Sequence, residues 1–340
     1  MSHPPEPWTS KWGRRCISIP SYTLAFALLL ASSPAWIPLL LVVDLALSRG
    51  RFPRVRTFAF FLVYLACELV GIAFAAGLWA VRLGGALGGA RAYVLANAQL
   101  QRYWTGILFA GARRVLGFRL VVEEGSARVT DGPFLLFVRH TSTADTILAA
   151  VLVANPNGIL LRYVLKRALL WDPCLDLVGR RLPNSFVVRG STRRAAEIAA
   201  VAELATNLGP RDGALIYPEG TRFSEAKLRA AQSRLRSEGR RDLADVADTF
   251  RNVLPPRLGG PLALLDAAVG VDVVVLEHAG FEAAESFGQL WAGDLVGKTV
   301  FARMRRIPAS EIPATDRERW LFEMWREMDE WVTSRATQPR

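Results

Sequence analysis

Two long apolar stretches open the chain, and a shorter-period pattern of apolar runs and turns follows. Cys16 to Val43 holds 28 residues without a charge, and Thr57 to Val81 holds 25 with Glu68 as the single charged residue. A bilayer core about 30 Å thick needs roughly 20 apolar residues in a helix. Both stretches are long enough, so the pattern predicts a hydrophobic helical hairpin in the membrane over residues 16–82, behind a polar tail at 1–15. Pro20, Pro34 and Pro38 predict a kinked or re-entrant first arm. Lys11, Arg14 and Arg15 ahead of the first run also fit a secretion signal, but the apolar core is too long for one and a second apolar stretch follows. Gly84, Gly85, Gly88 and Gly89 read as a linker. Residues 83–118 comprise that linker and an amphipathic helix, which begins near 91 and stops at Gly117.

From about residue 119 the period changes. Phe134–Val138 is a short apolar run suited to a buried strand, and Thr146 to Ala154 reads as helix. Asn184 to Val188, Ala214 to Tyr217 and Val271 to Leu276 are further strands. Ser191 or Thr192 caps a helix whose apolar positions Ile198, Val201, Ala202, Ala205 and Leu208 keep helical spacing until Gly209-Pro210 ends it. Strand–helix alternation of this kind predicts one α/β domain over 119–310, with a mixed, largely parallel sheet flanked by helices. Residues 311–340 form a C-terminal amphipathic helix. Its stripe of Trp320, Met324, Met328 and Trp331 is flanked by Glu323, Glu327, Asp329 and Glu330, so it fits core docking better than insertion into an anionic membrane. Residues 225–251 carry seven cations and five acids at helical spacing and read as a solvated surface helix or lid.

Composition adds a partner class. The chain has 340 residues, a net charge of +11 and a mean hydropathy of +0.21. The excess of Arg suits anionic lipid headgroups and phosphorylated substrates. Nucleic acid is a poorer partner, because no basic stripe is interleaved with aromatics. Cys16, Cys67 and Cys174 are isolated and offer neither a metal spacing nor a disulfide framework. Orientation is ambiguous. Arg49, Arg51, Arg54 and Arg56 between the two apolar arms favour a cytoplasmic loop, which agrees with a cytoplasmic catalytic region only if the hairpin is embedded in one leaflet.

The chemistry sits after two of the apolar runs. His140 and Asp145 are five residues apart, about 140° out of register on a single helix. They can meet if His140 lies in the turn after a strand and Asp145 in the first helical turn, where the helix dipole favours a carboxylate. Asp145 would then fix the imidazole tautomer and leave the other nitrogen free as a base. Ser142-x-x-Asp145 is also a capping-box pattern, which accounts for Asp145 without giving His140 a role. No G-x-S-x-G elbow exists for a hydrolase nucleophile, and Cys174, between Pro173 and Leu175, reads as a packed core residue. Glu219-Gly220-Thr221-Arg222 follows a strand. Its Gly permits a turn, and backbone amides, the Thr221 hydroxyl and the Arg222 guanidinium can converge on a phosphate; a tight loop with a surface ion pair is the plainer reading. Arg189 also ends a strand. His278, after the Val-rich strand, reads as a satisfied histidine at a strand end that could line the site.

Taken in order, these blocks resemble the glycerolipid acyltransferases of the 1-acylglycerol-3-phosphate acyltransferase (PlsC-like) superfamily. His140 and Asp145 match its first block. Lys166, Leu169, Pro173 and Gly179 match the second loosely, and Phe186 and Arg189 match it well. Residues 219–222 match the third in full, and Leu254-Pro255-Pro256-Arg257 with Gly260 match the fourth. Phe223-Ser224-Glu225 and the charged stretch after it resemble the lysocardiolipin-acyltransferase-like branch. The resemblance implies a glycerolipid acyltransferase-like fold, with His140 deprotonating a glycerol hydroxyl that attacks an acyl thioester and with Asp145 orienting His140. It places Arg189 and Glu219 to Arg222 on the acceptor's phosphate, with Lys166, Phe186, Pro256 and Arg257 nearby. Arg139 stands where many relatives have Asn, and a cation there could lower the pKa of His140 or contact a phosphate. Neither a metal nor a cofactor is implied; acyl-CoA or acyl carrier protein is a co-substrate.

The expected function is acyl transfer to lysophosphatidic acid in phospholipid biosynthesis, at a bacterial inner membrane with the catalytic domain facing the cytoplasm. Another lysophospholipid or glycerol 3-phosphate is the alternative acceptor, and a non-catalytic membrane lipid-binding protein is the alternative class.

Overall fold

The structure, a computed structural model, describes residues 6–47, 50–188 and 194–336. The chain divides into two compact units that interleave in sequence. Met1–Phe118, Leu165–Glu197 and Gly288–Gly297 form one; Arg119–Val164, Ile198–Phe287 and Lys298–Arg340 form the other. The block read from sequence as one domain over 119–310 therefore contributes to both.

The first unit is built on three long helices, α1 (Trp8–Leu47), α2 (Pro53–Leu83) and α3 (Gly89–Leu116). The first begins at Trp8, so half of the expected polar tail is helical, and it runs through all three prolines. Asp44 makes the turn to α2. Its carboxylate accepts from the backbone amides of Arg54 and Val55 at 2.9 and 3.0 Å and from the Arg54 guanidinium at 2.9 Å, satisfying first-turn donors that no helix can pair internally. Against α3, Gly111 matters because a Cβ there would lie 2.7 Å from Val63 Cγ1. Gly117 ends α3 with a left-handed backbone (φ 72°), as its position in the pattern predicts.

One face of α2 is polar in its contacts over most of its length. Thr57 donates to Leu290 O (2.9 Å), Tyr64 OH to Asp172 Oδ2 (3.0 Å), and Arg181 to Ala75 O (2.8 Å), while Glu68 accepts from the Cys174 amide (3.3 Å). The rest of α2 is apolar and largely outward, with Val70, Phe74 and Trp79 exposed, as are Leu24, Leu28, Trp36 and Val42 of α1.

Seven strands follow in chain order: β1 (Arg119–Val122), β2 (Phe134–Val138), β3 (Leu160–Lys166), β4 (Ser185–Val187), β5 (Asp212–Ile216), β6 (Asp272–Ala279) and β7 (Thr299–Ile307). In the second unit the spatial order is β1-β7-β6-β2-β5-β3, with β4 in the first unit's share of the chain. All these pairings are parallel except β6 with β7, giving the mixed, largely parallel sheet expected. β2 is central and wholly buried, which its unbroken apolar run requires. Gly213 lets its neighbour approach, since a Cβ there would meet the Phe134 ring at 2.6 Å. The strands at β1, β3 and β7 had not been singled out from sequence, although β7 buries Val300, Ala302 and Met304 in strict alternation. The helix expected from Thr146 starts earlier, as a 3-10 turn at Ala144–Ile147, and continues with π-type spacing at Ala150–Ala154.

The C-terminal helix spans Arg317–Ala336. Met324, Met328 and Trp331 are buried, and the Trp331 indole donates to the Glu123 carboxylate at 3.0 Å, so this stripe docks on the core. The charged stretch forms helices Glu225–Ser237 and Arg241–Ala247, whose Leu228, Leu235, Leu243 and Val246 face inward.

Candidate active site

The carboxyl ends of β2, β5 and β6 lie side by side, because Leu136 pairs with both Leu215 and Val274. Ligands in open α/β sheets bind beyond such ends, and here the three strands deliver His140, Glu219 to Arg222 and His278. The turn after β2 folds back on Asp145. One carboxylate oxygen is 2.9 Å from His140 Nδ1; the other accepts from the backbone amides of Thr141 (2.6 Å) and Ser142 (2.7 Å). The Ser142 hydroxyl accepts from the Ala144 amide at 3.0 Å. The capping role and the imidazole contact thus coexist, one on each oxygen. A carboxylate only accepts, so His140 Nδ1 carries the proton, and Nε2 is left without a hydrogen-bond partner among the described residues. The Tyr217 ring lies 4.7 Å from the imidazole, centre to centre, holding it in place. Asp145 is fully buried while the His140 side chain keeps 15% of its surface exposed.

Glu219 is not directed outward. It is buried, and its two oxygens accept from the backbone amides of His140 (2.8 Å) and Leu254 (3.0 Å). The expectation that it helps to hold a phosphate gives way to a bracing position, since an inward carboxylate offers an anion no donor. Burial pushes Glu219 up to about 8, outweighing the pull of Arg139 and of the two amides. The Gly220 amide is also committed, to Tyr217 O at 2.9 Å, so it does not join a phosphate cradle. Gly220 has a left-handed backbone (φ 67°), and a Cβ there would sit 2.7 Å from Arg257 Cδ; glycine is needed on both counts.

Thr221 and Arg222 do face outward. Thr221 has no hydrogen-bond partner among the described residues. Arg222 donates through one nitrogen to Thr143 Oγ1 (3.2 Å) and Glu285 O (3.1 Å), which joins the two loops and leaves its other N–H groups for a ligand. The loops also meet at Phe223 N–H and His140 O (3.1 Å), and the Arg257 amide donates to Pro218 O (2.8 Å). Pro256 is buried behind this turn.

Arg139 differs from expectation. Its guanidinium is wholly buried and turned inward, donating to His278 O (2.6 Å), Asn252 O (2.7 Å) and the Glu282 carboxylate, so it has no free face for a phosphate. His278 is more involved than a satisfied strand-end residue. Its Nε2 is 3.0 Å from Arg139 O and 3.6 Å from Asp145 Oδ2, and its Nδ1 is buried without a partner. The sequence signal for it was its place after the Val-rich strand in a chain with three histidines; nothing marked Tyr217, Asn252 or Glu282. Lys166 and Phe186 belong to the other unit, where Lys166 is exposed and Phe186 packs by Gly179. Arg189 and the Ser191/Thr192 helix cap lie outside the described residues.

Residues 119–255 match the family model described as Acyltransferase, a segment that holds His140, Asp145, Glu219 to Arg222 and the Leu254-Pro255 turn. No curated protein sequence matches the chain significantly. Among solved structures it is similar to the crystal structure of the 1-acyl-sn-glycerophosphate (LPA) acyltransferase, PlsC, from Thermotoga maritima, at 18% identity and a TM-score of 0.46 over 81% of this chain and 97% of that one. Over residues 119–255, the segment bearing the His–Asp turn, this chain is therefore similar to the Acyltransferase family.

Proposed function

We propose that this acyltransferase moves a fatty acyl group from a thioester, acyl-CoA or acyl carrier protein, to the free hydroxyl of lysophosphatidic acid, giving phosphatidic acid, with His140 as general base. The observation that carries this reading is the His140–Asp145 pair, with Nδ1 committed to the carboxylate and Nε2 unpartnered on a turn tied to Arg222. The acceptor O–H gives its proton to Nε2 as its oxygen attacks the thioester carbonyl. The C–S bond then breaks, the leaving thiolate takes the proton back from the imidazolium, and an ester and a free thiol result. Asp145 keeps Nδ1 protonated and stabilises the imidazolium.

Arg222 and Thr221 supply donors for the acceptor's phosphate, with Arg257, on the neighbouring turn packed against Gly220, as the second cation. Arg222→Ala should raise KM for lysophosphatidate about tenfold, the loss of roughly one charge-assisted hydrogen bond, with kcat within about threefold. Steady-state kinetics checks this, and an unchanged KM would take Arg222 out of the site.

The apolar hairpin keeps the enzyme where its acceptor and product reside. Thr57 and Ala75 are 18 residues apart, about 27 Å along a helix, and α2 meets polar partners at both and between them. A helix with polar company over that length suits a hairpin lying in one leaflet, with the outward apolar faces of α1 and α2 in lipid. The expected setting is the inner membrane, with the catalytic unit on the cytoplasmic side. With Cys16 and Cys67 replaced by serine, Arg51→Cys and Ala86→Cys should both react with an impermeant thiol reagent from the cytoplasmic face. Labelling of residue 51 from the opposite face alone would establish a spanning hairpin instead.

Transfer from labelled acyl-CoA or acyl carrier protein to lysophosphatidate, other lysophospholipids and glycerol 3-phosphate, by the wild type and His140→Ala, tests the whole reading. Transfer to lysophosphatidate that vanishes in the variant supports it. Preference for another acceptor revises the substrate, and no transfer from either donor would favour a lipid-binding protein.

A further inference from the structure

Beside the His–Asp pair lies another histidine, this one fully buried, with an unusual hydrogen-bond inventory. His278 lies in β6, fully buried, two residues beyond Leu276, whose register partner in β2 is Val138. This parallel register carries its imidazole beneath the turn that bears His140. Nε2 is 3.0 Å from the Arg139 carbonyl, and a carbonyl only accepts, so Nε2 holds the proton and Nδ1 is bare. The same N–H lies 3.6 Å from Asp145 Oδ2, too far for a hydrogen bond but close enough for a charge–dipole contact. That oxygen is the one not committed to His140. The contact is returned from the other direction, since the Arg139 guanidinium donates to the His278 carbonyl at 2.6 Å. Residue 139 at the start of the turn and residue 278 in β6 therefore clamp each other through both main chain and side chain, and Glu282 and Asn252 O hold the guanidinium in place.

We infer that His278 is a positioning residue for acyl transfer, a neutral N–H dipole that fixes Asp145 and the first residue of the catalytic turn so that Asp145 Oδ1 addresses His140 Nδ1. The inference rests on the reading of His140 as the base. His278 is fully buried, and its polar neighbours are Arg139 O and Asp145 rather than His140, so it acts through Asp145. Two facts set it apart from ordinary packing. Its bare Nδ1 is buried without a partner, a cost that an aliphatic residue of similar size would avoid. It also stays neutral beside Asp145. Burial pushes it below the ordinary histidine value, and of its charged neighbours Arg139 adds to that shift while Asp145 and Glu282 oppose it. The Phe281 ring, 6.0 Å away, completes its surroundings.

His278→Gln can place an amide N–H near the Nε2 position, whereas His278→Asn is too short to do so. Full-length protein in detergent micelles should show Gln within about threefold of wild-type kcat and Asn at least tenfold lower, both with near wild-type KM for the acceptor. Nitrogen-15 NMR, which has only three histidines to assign, should show His140 with Nδ1 protonated in the wild type and Gln variant and as a tautomer mixture in the Asn variant. Equal kcat and one His140 tautomer in both variants would overturn the inference. If the Asn variant does not fold, a tautomer mixture in the Gln variant overturns it and a single one upholds it. The NMR reading does not depend on turnover, so full activity in His140→Ala would refute the general-base reading separately.

Discussion

His140→Ala should lower kcat for acyl transfer by about 10²- to 10⁴-fold, the usual contribution of a positioned general base, with little change in thermal unfolding or in KM for the acceptor. The reason for the split is geometric. The imidazole meets the protein through Nδ1 and one face against Tyr217, while the turn itself is held by contacts that alanine keeps. The His140 amide still donates to Glu219, the His140 carbonyl still accepts from Phe223, and the Thr141 and Ser142 amides still bind Asp145. The truncated side chain leaves the partly exposed part of the site. Steady-state kinetics beside a melting curve separates the two effects, and wild-type turnover in the variant would refute the mechanism.

Glu219→Ala should have the largest effect on stability. It strips partners from two backbone amides, those of His140 and Leu254, and a buried donor left unsatisfied costs roughly 1–3 kcal/mol. Because these amides belong to the two turns that Glu219 joins, activity should fall with stability even though Glu219 touches no substrate in the proposed reaction. The acid also predicts a pH dependence. Its folded value is raised to about 8 from 4.5, so between these values the folded chain binds more protons than the unfolded one. Its contribution to stability is complete below about 4.5 and is lost as pH rises through about 8. The wild-type melting temperature should decline over that window, and Glu219→Gln, which does not titrate, should remove this part of the slope. An identical slope in the two proteins would show that Glu219 does not titrate there.

How much of this was legible in the sequence depends on the range of the interaction concerned. The hairpin was legible because burial in lipid or in a core demands long uninterrupted apolar runs, and α1 and α2 have them. β2 was legible for the same reason, as was the stop of α3 at Gly117, where a left-handed backbone favours glycine. The His140–Asp145 contact was legible because both partners lie within one turn, and local geometry alone decides whether they can meet. The ordered blocks carried the resemblance to a family because they are short local patterns, and the segment that matches the Acyltransferase family model contains the first and third of them.

Direction and long-range company were decided only by tertiary structure. Glu219 and Arg139 are charged residues at strand ends, where sequence reasoning aims them at a ligand. The fold turns both inward, since two backbone amides find their acceptor in Glu219 and two backbone carbonyls and the Glu282 carboxylate find their cation in Arg139. His278 lies 133 positions from Asp145 in the chain, and only the parallel register of β2 with β6 brings them to 3.6 Å. Segments 165–197 and 288–297 join the helical unit, where Asp172, Arg181 and Leu290 O meet α2 in a way no hydropathy pattern records. A sequence by itself determines what its local periodicities and neighbouring side chains require. Which buried groups satisfy one another is settled when distant strands and helices come together, because each buried donor and acceptor must then find its partner among whatever the fold has placed beside it.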